Sequence, residues 1–218
     1  MPIERTDAGI WVVVGDTLRT PWVKEKGKLA VDHLIPHICA LIRPGDTVID
    51  VGANIGDHTI SYLDAVNKNG TVIAFEPDPE CYACCVLNCG KFEDFYCAAA
   101  TDRRRKVALK TVSNRGENHI ELDGAGVDGF PIDDLKLARC DLIKIDVEGA
   151  ELLVLKGSVE TIVKNKPIIV CELVEGQLSR FNTSIAEVKH MLDLLGYSGC
   201  PLISGEDRDW VFRHTNPI

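Results

Sequence analysis

The chain has 218 residues, 45% of them hydrophobic and 26% charged, a balance that suits one soluble globular domain with a well-filled core. Its 33 acidic side chains outnumber 24 basic ones, and the formal charge of -9 excludes bulk electrostatic capture of nucleic acid, because the phosphates would be repelled. No charged leader with an apolar core opens the sequence and no apolar run approaches the roughly 20 residues of a membrane span, so a cytoplasmic protein without membrane association is expected.

Residues 1–28 read as an N-terminal β extension, with Trp11-Val12-Val13-Val14 and Trp22-Val23 forming a small β element over 10–23. A single domain over 29–218 follows, opened by a helix predicted at 29–42. Val48 to Val51 is a β-branched run between Gly45 and Gly52 and reads as a buried parallel strand. Its end, Asp50-Val51-Gly52-Ala53-Asn54-Ile55-Gly56-Asp57-His58-Thr59, empties through a glycine turn into a helix. Gly52 and Gly56 permit positive φ, and the turn is expected to bring its N–H groups close to a ligand in front of the helix's positive end.

The register places Gly52, Asn54 and Asp57 where a dinucleotide fingerprint would want three glycines. Asn54 adds bulk and Asp57 adds negative charge where two phosphates would sit. The turn therefore suits a ligand with a cationic end, and an NAD-dependent oxidoreductase is the weaker reading. S-adenosylmethionine, with an ammonium, a sulfonium and a ribose diol, matches this chemistry, and Asp50 at the strand end is expected to accept from its ammonium, directly or through backbone and water.

A second strand, Thr71-Val72-Ile73-Ala74-Phe75, stops at Glu76-Pro77-Asp78-Pro79. A carboxylate there can accept from both hydroxyls of a ribose, while the prolines turn the chain out of the strand. Asp78 reads as a helix cap before Pro79. On the helix around 80–90, Cys81, Cys84, Cys85 and Cys89 share one stripe, the spacing of a core face rather than of a zinc knuckle; nine cysteines in all read as reduced thiols. The candidate cofactor set is Asp50, Gly52, Asn54, Gly56, His58, Thr59 and Glu76.

Further along, Phe95 to Ala99, Asp141 to Ile145 and Pro167 to Cys171 read as the third, fourth and fifth strands, with helices at 149–164 and 184–195. Such alternation builds a parallel sheet covered on both faces. The polar segment 103–138 is expected to form small strands and loops over the crevice, and Arg103-Arg104-Arg105-Lys106 within it reads as a solvated turn. The ending, from Tyr197 to Arg213, reads as a closing hairpin. The fourth strand ends in Lys144-Ile145-Asp146-Val147-Glu148-Gly149-Ala150-Glu151. Asp146 leaves the strand itself, whereas Glu148 and Glu151 either reach the crevice or form the acidic first turn of the next helix. Glu172 closes the fifth strand. Asp146, Glu148 and Glu172 are the candidate catalytic residues; Asp146 with Glu172 is compatible with a divalent metal, which is not predicted.

Asp50 to Gly56, Phe75-Glu76-Pro77, Ile132-Asp133-Asp134-Leu135 and Lys144 to Glu151, in this order and spacing, resemble the FkbM-family methyltransferases over about residues 28–200. The resemblance implies a class I methyltransferase (Rossmann-like) α/β fold, a three-layer sandwich whose seven-stranded, mostly parallel sheet has the order 3-2-1-4-5-7-6. It also implies S-adenosylmethionine-dependent methyl transfer, usually to a hydroxyl of a sugar or natural product. Carried over, Asp50, Gly52, Asn54 and Gly56 surround the methionine part, Glu76 the ribose, and Asp146 and Glu148 the reacting end. No Asn-Pro-Pro-Tyr-like run and no aromatic basic groove occurs, so a small-molecule hydroxyl acceptor is expected rather than a nucleobase. The competing reading is a methyltransferase-like protein that binds cofactor or a partner without turnover.

Overall fold

The computed structural model describes residues 2–29, 33–91, 93–122 and 124–216; residues 30–32 of the predicted helix at 29–42 and residue 123 of the segment 103–138 lie outside them. The chain opens with an antiparallel pair, β1 (Ile3–Arg5) and β2 (Trp11–Val13), followed by α1 (Arg19–Lys26). The expectation of β structure through Trp22-Val23 is corrected, since both residues lie in α1. Tertiary packing decides this: a helix lets Val23 join Val12 and Val13 against Ile55, Cys81 and Cys84, which overrides β propensity. After α2 (Leu34–Cys39) the central sheet begins.

That sheet comprises β3 (Thr47–Val51), β4 (Thr71–Phe75), β5 (Phe95–Tyr96), β10 (Leu142–Ile145), β11 (Ile168–Glu172), β12 (Tyr197–Pro201) and β13 (Asp209–His214). Its spatial order is β12-β13-β11-β10-β3-β4-β5, which reads 3-2-1-4-5-7-6 when these seven strands alone are counted along the chain. Pairing is parallel from β5 to β11, and only β13 runs against its neighbours. Successive residues feed opposite faces. Ile49, Ile73, Ile143 and Ile169 enter one core, beneath α5 (Glu151–Lys156), α6 (Val159–Asn165) and α8 (Ile185–Leu194). Val48, Val72, Leu142 and Val170 enter the other, against α2 and α3 (Thr59–Val66). Burial on both faces is why these strands read as unbroken apolar runs.

Two predicted elements divide. The third strand keeps only Phe95–Tyr96 in the main sheet; Ala99–Ala100 (β6) leaves to form a second sheet with β7 (Arg105–Lys110), β8 (His119–Glu121) and β9 (Val127–Phe130), in the order β6-β9-β7-β8. The helix at 149–164 breaks at Gly157, where a Cβ would stand 2.0 Å from the Thr101 carbonyl oxygen. In the basic run, Arg104, Arg105 and Lys106 pair with Asp134, Asp102 and Asp128, which neutralises three of its four charges, and the reading of a turn is corrected for Arg105 and Lys106, which open β7. On α4 (Pro79–Cys89), Asp78 caps the Glu80 N–H and Pro79 takes the first helical position. Cys81, Cys84 and Cys85 are buried on that helix, and all nine thiols are free. The short helix α7 (Glu175–Leu178) follows β11.

A candidate active site at the strand ends

The carboxyl ends of β3, β4 and β10 open into a cleft of about 810 Å³ including its mouth, roofed by α1 and the 3-10 turn Arg115–Glu117. At the β3 end, Gly52, Asn54 and Gly56 adopt φ of +90°, +50° and +88°. Gly52 answers a close approach, because a Cβ there would lie 1.8 Å from the Asp146 carbonyl oxygen. The turn's amides are already bonded within the protein. Gly52 and Ala53 donate to Phe75 O (2.9 and 3.1 Å), Asn54 to Glu76 Oε2 (2.8 Å), Ile55 to the Asn54 side chain (2.8 Å) and Gly56 to Ala53 O (2.9 Å). The expectation that these N–H groups face a ligand is therefore corrected: the turn contributes shape and side chains.

Of the predicted residues, Gly52, Asn54, His58, Glu76, Asp146 and Glu148 line the cleft, whereas Asp50, Gly56, Thr59 and Glu172 do not. Asp50 is fully buried beneath it and accepts from the Thr59 hydroxyl (2.7 Å), so it braces the turn from below and has no surface for direct contact with a cofactor ammonium. Its cross-strand neighbour in the register, Lys144, lies 3.6 Å from Asp50 Oδ1, 3.4 Å from Asp146 Oδ2 and 3.5 Å from Gly52 O. Burial disfavours the Lys144 ammonium, but the Asp146 and Asp50 carboxylates raise its proton affinity above the usual lysine range.

Glu76 is buried at the end of β4, its Oε2 bonded to Asn54 N–H and its Oε1 to Asp78 N–H (2.8 Å each). Burial pushes it up to about 7 against those two bonds, and each oxygen keeps a lone pair for the cleft it lines. Around β10 the carboxylates diverge. Burial works to raise Asp146, yet with 38% of its side chain open to the cleft the pull of Lys144, His58 and Arg19 prevails and holds it below its ordinary range. Glu148 goes the other way, up to about 8, through burial and then the charges of Asp146 and Glu172. Glu172 rises to about 7 through burial and Asp146, with Arg208 opposing.

Glu148 takes φ +59°, a strained backbone for a side-chain-bearing residue, and is held there by its surroundings. Gln177 Nε2 donates to its carboxylate (2.6 Å) and Arg180 Nη1 to its carbonyl (2.9 Å). Glu151 opens α5 as the structural alternative foresaw: it is buried and accepts from Gly149 N–H (3.0 Å) and Val147 N–H (3.4 Å), tightening the turn that presents Glu148. Asp146, Glu148 and Glu172 each place an oxygen within 4.8 Å of the others, the one group among the described residues arranged to hold a metal ion. Arg180 faces Glu148 at 3.7 Å and Arg208 is bonded to Glu172, so two of the three already have cationic partners.

Arg19, Arg115, Gln177, Arg180 and Arg208 were not singled out from sequence, since they sit on short helical turns and a loop far from the motifs along the chain. Lys144 did carry a signal, a lone cation within an otherwise apolar buried strand.

The residues fit S-adenosylmethionine. Asp57 and Asp146 suit a cationic ligand, Glu76 suits a diol, and Val51, Phe75 and Ala98 to Ala100 supply apolar walls. The fold is shared with the FkbM methyltransferase of Methylobacillus flagellatus (TM-score 0.53, 17% identity, 80% of this chain and 49% of that one). It is shared as well with a TehB-like SAM-dependent methyltransferase of Corynebacterium glutamicum (TM-score 0.53, 10% identity, 91% and 95%). Sheet order and cleft position thus define a class I S-adenosylmethionine-dependent methyltransferase fold. The chain belongs to the FkbM methyltransferase family, whose domain model, described as Methyltransferase FkbM domain, matches residues 50–199. It is similar to the 2-O-methyltransferase NoeI of Sinorhizobium fredii, 28% identical over 172 residues covering 65% of this chain and 70% of that protein. It is also similar to the methyltransferase sdnD of Sordaria araneosa, 30% identical over 156 residues covering 50% and 59%. The chain therefore spans only part of each curated relative.

Proposed function

We propose that this protein methylates a hydroxyl oxygen on a sugar or small natural product, with Glu148 receiving the hydroxyl proton. The observation that carries the reading is the pair of unlike carboxylates on one turn, Asp146 held ionised and Glu148 held near 8, at the inner wall of a cleft built for S-adenosylmethionine. When bound, the cofactor supplies a methyl carbon activated by its sulfonium. Glu76 accepts from the ribose hydroxyls. Asp146, kept anionic by Lys144, places fixed negative charge toward a cationic ligand and raises the proton affinity of its neighbour. Glu148 is thereby poised as a general base near neutral pH, where such a group works best. The stretches 8–30, 103–130 and 173–183 are assigned to acceptor recognition, because Arg19 of the first and Arg115 and Asn118 to Ile120 of the second line the cleft, while Gln177 and Arg180 of the third hold Glu148. NoeI, named a 2-O-methyltransferase, supports an oxygen acceptor.

Incubation with methyl-labelled cofactor and a panel of hydroxyl, amine and thiol acceptors tests the reading. Label appearing in an ether product supports it; label only on nitrogen or sulfur, or on nothing across a broad polyol panel, overturns it. The Asp146, Glu148, Glu172 cluster favours a second reading in which a divalent metal activates the acceptor. With Arg180 and Arg208 already paired there, we expect turnover to survive a chelator. Loss in chelator and recovery with magnesium would place a metal in that cluster.

A further inference from the structure

One lining residue of the cleft comes from a segment that the family model does not reach. Residues 2–29 precede the matched span 50–199, yet Arg19 lines the cleft. The segment is anchored there. Thr20 N–H donates to Asp16 Oδ2 (2.6 Å) and its hydroxyl to Val13 O (2.7 Å), while Asp16 Oδ1 accepts from Arg115 N–H (2.9 Å) and Thr17 N–H donates to Ser113 O (2.9 Å). Arg19, the first residue of α1, forms an ion pair with Asp57, which directly follows the glycine turn and is only 3% exposed.

The cations of the cleft are not equivalent. Arg115 is committed to Asp78 (3.1 Å) and Glu80 (3.0 Å). Lys144 is buried between Asp50 and Asp146. Arg19 has one carboxylate partner and keeps 26% of its side chain exposed, so donors of its five-donor fork remain for a ligand. The amides of residues 52–56 are already bonded, to Phe75, to Glu76 and within the turn, and offer nothing to an anion.

We propose that Arg19 receives the α-carboxylate of the cofactor's amino-acid tail, with Asp57 beside it accepting from the α-ammonium. The pair is then a receptor for a zwitterion: a guanidinium for the carboxylate, a buried carboxylate for the ammonium. The N-terminal segment completes the cofactor site rather than decorating it. This assignment rests on the S-adenosylmethionine reading above, and its test separates the two.

Calorimetry on the full chain compares S-adenosylhomocysteine, which carries the amino-acid tail, with 5′-methylthioadenosine, which lacks it. Wild type should prefer the tailed ligand. Arg19→Gln should lose about tenfold or more in affinity for S-adenosylhomocysteine, the weight of a charge-assisted pair, while 5′-methylthioadenosine binding stays within about twofold. Arg19→Lys should fall between, because it keeps the charge and loses the fork. Unchanged binding of the tailed ligand by Arg19→Gln overturns the assignment. So does an equal loss for both ligands by both variants, which would mean that Arg19 merely braces the Asp57 turn. Wild type binding neither nucleoside overturns the cofactor reading itself, and this inference with it.

Discussion

Asp146 and Glu148 are two residues apart on one turn, and their surroundings drive them in opposite directions: a buried lysine holds the first ionised, while burial and like charge hold the second protonated to about pH 8. If Glu148 is the base, kcat/KM rises with pH through a limb near 8. Glu148→Gln should lower turnover by about two to four powers of ten and abolish that limb. Asp146→Asn should move the limb to lower pH, since it removes a negative neighbour of Glu148; a pH–rate series on both variants measures this. A limb that stays put in Asp146→Asn argues against charge coupling between them. Glu76 carries a separate expectation. Glu76→Ala should weaken S-adenosylhomocysteine binding by about 1–3 kcal/mol in calorimetry through lost charged hydrogen bonds, with NAD binding undetectable in wild type. Tight NAD binding would return the site to an oxidoreductase.

The turn after β10 is the element on which the chemistry depends. Gly149 sits at φ +116°, and a Cβ there would lie 2.2 Å from the Gln177 carbonyl oxygen, so α7 packs against bare backbone. Gly149→Ala should destabilise the protein by about 1–3 kcal/mol in urea unfolding and depress turnover more than cofactor affinity, because it displaces Glu148 while leaving Glu76 in place. Wild-type turnover in this variant would show that the position of Glu148 is not demanding. At the same scale, the strands were legible because burial on both faces writes them as β-branched runs. Element ends were not: the break at Gly157 and the departure of β6 come from contacts with Thr101 and β9, which lie elsewhere in the chain.

Across the whole molecule, Glu76, Glu151 and Glu172 titrate near 7 and Glu148 near 8, all above the ordinary carboxylate value of 4.5. Between about pH 4.5 and 8 the folded chain therefore holds protons that the unfolded chain has released. Unfolding free energy then falls as pH rises through this window. The ligand-free protein should melt higher at pH 6 than at pH 8.5, by several degrees, in scanning calorimetry. Glu148→Gln should flatten that slope, since it removes one of the raised groups. A melting temperature that rises with pH would contradict the burial of these carboxylates. Among the described residues no helix is long and apolar enough to cross a membrane.

By itself the sequence determined the strand–helix alternation, the glycine turn, the Glu76 strand end and the Asp146-Val147-Glu148-Gly149 exit, because each is a local pattern of apolar period, backbone freedom and charge within a few residues. It also set Asp78 as a cap and the cysteine stripe as core, since both follow from spacing on one helix. Tertiary structure alone decided which of these groups meet. It buried Asp50 under the turn against Thr59 and Lys144 and spent the turn's amides on Phe75, Glu76 and the turn itself. It brought Arg19 and Arg115 to the cleft, and Gln177, Arg180 and Arg208 to Glu148 and Glu172, from elements distant in the chain. Proton affinity and solvent exposure arise from neighbours in space, and residues far apart along the chain carry no period that announces where they will meet.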